Sequence, residues 1–143
     1  MKVDICSRKD IASLKPDQLP KNTAVISFYT PNGKQNRVNY QGICERVFYV
    51  GIPDIDIERL TAYGYTYESY LSESDALADF IIKAVKDGCQ IICQCDFGQS
   101  RSAACAAAIL QHFNKSGIAI FADYRYYPNQ LVFHKVLDAL EKQ

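Results

Sequence analysis

Neither sign of charge is in excess in this chain, which carries 16 Lys and Arg against 16 Asp and Glu, with only two His. No segment holds a run of Lys or Arg, so the usual electrostatic basis for binding nucleic acid or an anionic membrane is missing. Long hydrophobic runs are lacking too: none approaches the roughly 18 apolar residues of a membrane-spanning helix. Lys2, Asp4 and Arg8 place charges where a secretory leader would be apolar, and a cytoplasmic protein is expected. There is no internal repeat and no low-complexity segment. Six cysteines are present, but none forms the Cys-x2-Cys turn that converges metal ligands. Cys89, Cys93 and Cys95 would lie along one strand, so no metal is expected, and in a reducing compartment the six read as free thiols. With those classes set aside, 143 residues at 48% hydrophobic and 22% charged fit one domain over residues 1–143, long enough to bury a core.

The informative stretch is residues 90–113. Ile91, Ile92 and Cys93, between Gln90 and Gln94, make a β-prone run of strand length, and residues 102–113 are dominated by alanine, the best helix former. Between them Cys95-Asp96-Phe97-Gly98-Gln99-Ser100-Arg101 reads as a tight loop, with Gly98 permitting a crowded or left-handed backbone. A loop so placed can turn successive N–H groups inward as an anion nest, backed by the unpaired N–H groups and positive dipole end of the helix. Cys95 at the mouth of that nest is favoured as a thiolate, the nucleophilic form of sulfur, by the dipole and by Arg101. Arg101 offers a planar fork that matches two phosphoryl oxygens. Ser102 can donate a hydroxyl to the thiolate and help it leave. The expected phosphate-binding residues are therefore Asp96, Phe97, Gly98, Gln99, Ser100 and Arg101, with Cys95, Arg101 and Ser102 catalytic. Phe97 either anchors the loop or meets the substrate.

Residues 95–102, as Cys-x-x-Gly-x-x-Arg-Ser, resemble the signature of cysteine-based protein tyrosine phosphatases, in particular their small dual-specificity-like branch. Two further segments are similar. Tyr49-Val50-Gly51-Ile52-Pro53-Asp54-Ile55-Asp56 resembles the strand and loop that deliver the family's general acid, and Tyr127-Pro128-Asn129-Gln130-Leu131-Val132-Phe133 resembles its Pro-Asn helix start. The resemblance implies an α/β domain with a central, mostly parallel sheet flanked by helices. It implies hydrolysis of a phosphomonoester, on tyrosine and also serine or threonine of a protein, through a cysteinyl-phosphate and without metal or cofactor. It also implies Asp56 as general acid, although the same loop can present Asp54 instead. One position departs from the family: Gln94 stands where a histidine precedes the nucleophile, replacing its hydrogen bonds but not its charge. Slow turnover, or phosphate binding without hydrolysis, is the consequence to look for. A pseudophosphatase, a phosphatase of small phosphorylated metabolites or RNA ends, and an arsenate-reducing or sulfur-transfer enzyme are the alternatives built on the same loop. With Asp96 in the loop and no basic residue there besides Arg101, highly charged phosphoinositides match poorly.

Elsewhere strands and helices alternate. Residues 3–6 read as a short strand, and Ser7 as the cap of a helix holding Ile11, Ala12 and Leu14. Residues 23–29 and 46–50 read as strands separated by a polar loop over 30–41. Ser72 and Asp75 predict the start of a helix whose Leu77, Phe80, Ile81, Ala84 and Val85 keep a helical period and which Gly88 ends. Residues 89–94 form the strand before the nucleophile, and alanines at 103, 104, 106, 107 and 108 let the following helix pack closely on a sheet. Residues 118–121 predict a late strand. Asn129 caps a terminal helix from Gln130, with bracing of the phosphate loop as a second role. Tyr63, Tyr65, Tyr67 and Tyr70 are expected to pack their segment onto the domain, and His112 and His134 to be structural. Cys93, on the strand face of Cys95, and Cys105, one helical turn beyond Arg101, are either core residues or partners that resolve an oxidised Cys95.

Overall fold

The computed structural model describes residues 1–143. Its elements in chain order are β1 (Val3–Ser7), α1 (Arg8–Ala12), β2 (Thr23–Tyr29), β3 (Arg46–Gly51), two single-turn 3-10 helices (Ile57–Arg59 and Thr61–Tyr63), α2 (Ser74–Lys86), β4 (Gln90–Cys95), α3 (Arg101–Asn114), α4 (Ile118–Phe121) and α5 (Gln130–Lys142). The four strands form one sheet in the order β1-β4-β2-β3, and every pairing is parallel. A parallel sheet is covered on both faces, which is why β2, mostly apolar, is buried along nearly its whole length.

Alternation along β4 divides the domain. Ile91, Cys93 and Cys95 point into the larger core, with α2, α3 and α5. Ile92 faces the smaller cluster with Ile11 of α1, Val25 and Tyr40. Residues 101–109 of α3 are all buried, because alanine leaves so little bulk that the helix can lie between the sheet and α5. That placement fixes the helix start, and with it the loop from β4.

Several local expectations hold to the residue. Ser7 caps α1 through a capping box with Asp10, Gly88 follows α2 with φ +74°, and Asn129 caps α5 by accepting from Val132 N at 3.0 Å. Others shift. Leu14 lies beyond α1, which ends at Ala12. The helix expected from Ser72 begins at Ser74 with Glu73 at its cap, since Leu71 just before it takes φ +54° and turns the chain late. Residues 118–121 are not a strand: Lys115 closes α3 in the left-handed region, and Ser116 N–H donates back to Leu110 O. The chain therefore reverses tightly into the short α4 against α3, with Phe121 edge-on to Phe133 of α5 at 5.0 Å, and never reaches a sheet edge. No helix is long and apolar enough to cross a membrane.

Tyr40 and Tyr70 are the bulkiest fully buried side chains, one in each cluster. Burial pushes both phenols well above their ordinary value of 10.0. The folded state keeps them neutral where the unfolded chain would ionise them, so their contribution is fully present below about pH 10 and is lost as pH rises further. The urea midpoint is expected to hold steady from about pH 8 to about pH 9.5 and to fall above about pH 10, with Tyr70→Phe flattening that fall. A midpoint level through about pH 11 contradicts this.

Candidate active site

β1 and β4 pair in a register that sets Ser7 beside Cys95, so the two strands end together and the loop after Cys95 folds back over the end of β1. Gly98 makes the closest approach. Its φ is +68°, and a Cβ there would lie 2.8 Å from Ser7 N and 3.0 Å from the Cys6 carbonyl carbon, so a side chain is excluded by conformation and by space.

The loop's carbonyls are drawn outward. Asp96 O accepts from Arg8 N at 3.1 Å, Gln99 O from Tyr127 N at 2.8 Å, and Ser100 O from Asn129 N at 3.2 Å and Ala104 N at 2.9 Å. Meanwhile the backbone N–H groups of Asp96, Phe97, Gly98, Gln99 and Ser100 donate to no protein acceptor. Consecutive unpaired donors running into the start of a long helix are what an anion nest requires. The sequence-expected residues at 96–100 thus form one loop after Cys95, and Arg101 opens α3 directly behind it. Phe97 is not an anchor: its ring is 81% exposed.

Cys95 sits at the base of this loop, and Ser102 Oγ lies 3.0 Å from its Sγ, close enough for the hydroxyl to donate to a thiolate. Arg101 is only 4% exposed. Its Nη1 donates to Ile52 O at 2.7 Å and to Thr30 Oγ1 at 3.0 Å, which fixes the plane of the guanidinium from the loops after β3 and β2. Its Nη2 lies 3.3 Å from Asp96 Oδ2. Its Nε is buried and has no protein partner at all. The anchored edge of the fork faces the protein; the other edge keeps a free donor and a long contact to a carboxylate.

Of the two carboxylates after β3, Asp54 is the one tied to the loop. Its Oδ1 accepts from Ser100 Oγ and from Asn129 Nδ2, both at 2.8 Å, and no protein group meets its Oδ2. Asn129 also donates to Ile55 O, and Tyr70 donates to Pro53 O at 2.8 Å, so the loop after β3 is held from two sides. Asp56 caps a 3-10 turn, is exposed, and makes no side-chain hydrogen bond. Both carboxylates line one cleft of about 700 Å3 with His134, Tyr67, Glu58 and Asp138. His112, by contrast, packs edge-on to Phe113 at 4.7 Å, away from the loop.

Gln94 points to the opposite face of the sheet from Cys95. Its Oε1 accepts from Ser27 Oγ at 2.5 Å and Tyr40 OH at 2.7 Å, and its Nε2 donates to the Cys95 carbonyl at 3.0 Å. Gln94 therefore locks the first peptide of the loop after Cys95 through a neutral network. Cys93 is fully buried, and its thiol is pushed well upward, first by the neighbouring Cys105 thiol and then by burial. All six cysteines are free thiols. No three His, Cys, Asp or Glu side chains gather where they could hold a metal ion.

Sequence reasoning missed three contributors. Thr30 was assigned to a polar loop, and Ile52 contributes a backbone oxygen that no residue type announces. Arg8 belongs to α1, yet its Nε lies 3.3 Å from Asp96 Oδ1. Only the β1–β4 register brings it there.

Gly98→Ala tests the loop geometry. The strained φ and the close contact are expected to cost about 1–3 kcal/mol in urea unfolding, and calorimetric titration with inorganic phosphate should show at least a tenfold loss of affinity, roughly the worth of one charge-assisted hydrogen bond. Wild-type affinity would mean that the loop does not bind anions in this conformation.

No family model matches the chain, and no curated protein does. Among solved structures it is similar to a glycine-to-alanine mutant form of Tk-PTP, with a TM-score of 0.47 and 15% identity, covering 98% of this chain and 81% of the other.

Proposed function

We propose that this protein is a phosphomonoester hydrolase that works through a cysteinyl-phosphate on Cys95 and uses no metal. One observation carries the reading. Around Cys95, successive loop N–H groups and the buried Nε of Arg101 are all donors without acceptors. The buried Nε of Arg101 is left unpaired at a cost of about 1–3 kcal/mol, unless something else supplies the acceptor. A phosphoryl dianion has several oxygens to do so, and its phosphorus would then stand over the sulfur.

In the first step the Cys95 thiolate attacks phosphorus, a P–S bond forms, and the P–O bond to the leaving group breaks. In the second, water attacks the same phosphorus, the P–S bond breaks, and the thiolate departs with the Ser102 hydroxyl donating to it. Nε and Nη2 of Arg101 suit two equatorial oxygens, because Nη1 is already committed to Thr30 and Ile52. A proton must reach the leaving oxygen first and be taken from water afterwards. We assign that role to Asp54 in preference to Asp56, since Asp54 is hydrogen-bonded to the phosphate loop and keeps Oδ2 open. The exposed rings of Phe97 and Tyr127 beside the loop provide aromatic surface, which supports aryl phosphates, phosphotyrosine in a protein among them, as the substrate class.

Phosphate release from p-nitrophenyl phosphate is expected in the presence of a chelator. It should be abolished in Cys95→Ser, which keeps the loop and still binds phosphate. Arg101→Lys keeps the charge and loses the fork, and a fall of at least about two orders of magnitude in kcat is expected, as for loss of one oxyanion donor. Activity that survives Cys95→Ser, or that vanishes with the chelator, overturns the mechanism. Phosphate binding without turnover would make the chain a phosphate-binding module.

The two carboxylates are separated by leaving-group dependence. Asp54→Asn is expected to slow a phosphotyrosine peptide or alkyl phosphate far more than p-nitrophenyl phosphate, whose leaving group is stable without a proton. Asp56→Asn should slow both substrates little and alike. The reverse pattern would return the acid role to Asp56.

A further inference from the structure

The phosphate loop carries a negative charge of its own, in the residue directly after the nucleophile. Asp96 Oδ2 lies 3.3 Å from Arg101 Nη2, on the edge of the fork assigned above to the substrate. A carboxylate there competes with a dianion for Nη2 and repels it. The same carboxylate has a second cation at hand: its Oδ1 lies 3.3 Å from Arg8 Nε. Arg8 is itself held at both ends. Its backbone N–H donates to Asp96 O at 3.1 Å, and its Nη2 donates to Asn36 O at 2.5 Å in the loop after β2. Both Arg8 and Asp96 keep 26% side-chain exposure, against 5% for Arg101, so the Asp96 carboxylate has room to move toward Arg8, while Arg101 is fixed.

We propose that Arg8 is a positioning residue that neutralises Asp96 and draws it off Arg101, so that Nη2 is released to the incoming phosphoryl group. The inference rests on the hydrolase reading above and deepens it. Arg8 need not touch the substrate. It acts through Asp96, which passes from a shared contact between two guanidiniums to Arg8 alone as the anion enters. Without Arg8 the carboxylate has only Arg101 to pair with, and the loop becomes self-blocked.

Removing the guanidinium should therefore weaken anion binding only while residue 96 is charged. For Arg8→Gln, KM for p-nitrophenyl phosphate and the inhibition constant of inorganic phosphate are expected to rise at least about tenfold, with kcat changed less than about threefold. In Arg8→Gln combined with Asp96→Asn, both constants should return to within about threefold of those of Asp96→Asn alone. Arg8→Lys, which keeps a cation beside Asp96, should retain most of the affinity. The proposal is overturned if Arg8→Gln leaves KM unmoved, if the loss is the same whether residue 96 is Asp or Asn, or if the lysine and glutamine variants are equally impaired. Phosphate affinity measured by calorimetry in the Cys95→Ser background gives the same comparison without turnover. A failure of hydrolysis is thereby kept apart from a failure of this inference.

Discussion

A guanidinium buried to 4% exposure is the constraint on which the site depends. Taking such a charge out of water costs several kcal/mol unless its donors are paired in good geometry, and no single segment can surround a guanidinium. Arg101 therefore draws three parts of the chain together: Thr30 after β2, the Ile52 carbonyl after β3, and Asp96 in its own loop. The ends of the parallel strands converge there because strands ending on the same side present their following loops to one another. One donor, Nε, is left out of this settlement.

The surrounding hydrogen bonds serve to keep that loop from satisfying itself. Arg8, Tyr127 and Asn129 occupy its carbonyls from outside with their backbone N–H groups. On the far face of the sheet, Gln94 joins Ser27, Tyr40 and the Cys95 carbonyl in one buried network, in which each polar group has a partner. A neutral glutamine orders the Cys95 peptide but contributes no positive charge to the sulfur. The dipole of α3 and Arg101 are left as the sources of positive potential at Cys95.

Packing supplies the rigidity that these bonds require. The alanine-rich α3 is buried from Arg101 to Ile109, between the sheet and α5, so its first turn cannot tilt without disturbing the core. Asn129 links the parts. It caps α5 through Val132 N, donates to Asp54 and Ile55 in the loop after β3, and gives its backbone N–H to Ser100 in the loop after β4. The position of α5 thereby sets the distance between the two loops.

The amino-acid sequence by itself determined the strand, loop and helix around Cys95, the Ser7 and Asn129 caps, and the α/β alternation. These depend on neighbours within a few residues: propensity, a capping hydroxyl or amide, and a glycine where the backbone turns left-handed. The sequence misread residues 118–121, where four apolar residues suit a strand or a buried helical turn equally, and only the reversal after Lys115 decided between them. Tertiary structure alone set Asp54 against Ser100, fixed Arg101 by a carbonyl from the loop after β3, and brought Arg8 to Asp96 across 88 residues. Those contacts are made between segments distant in the chain, and strand register and helix packing bring them together, which no local pattern of residues encodes.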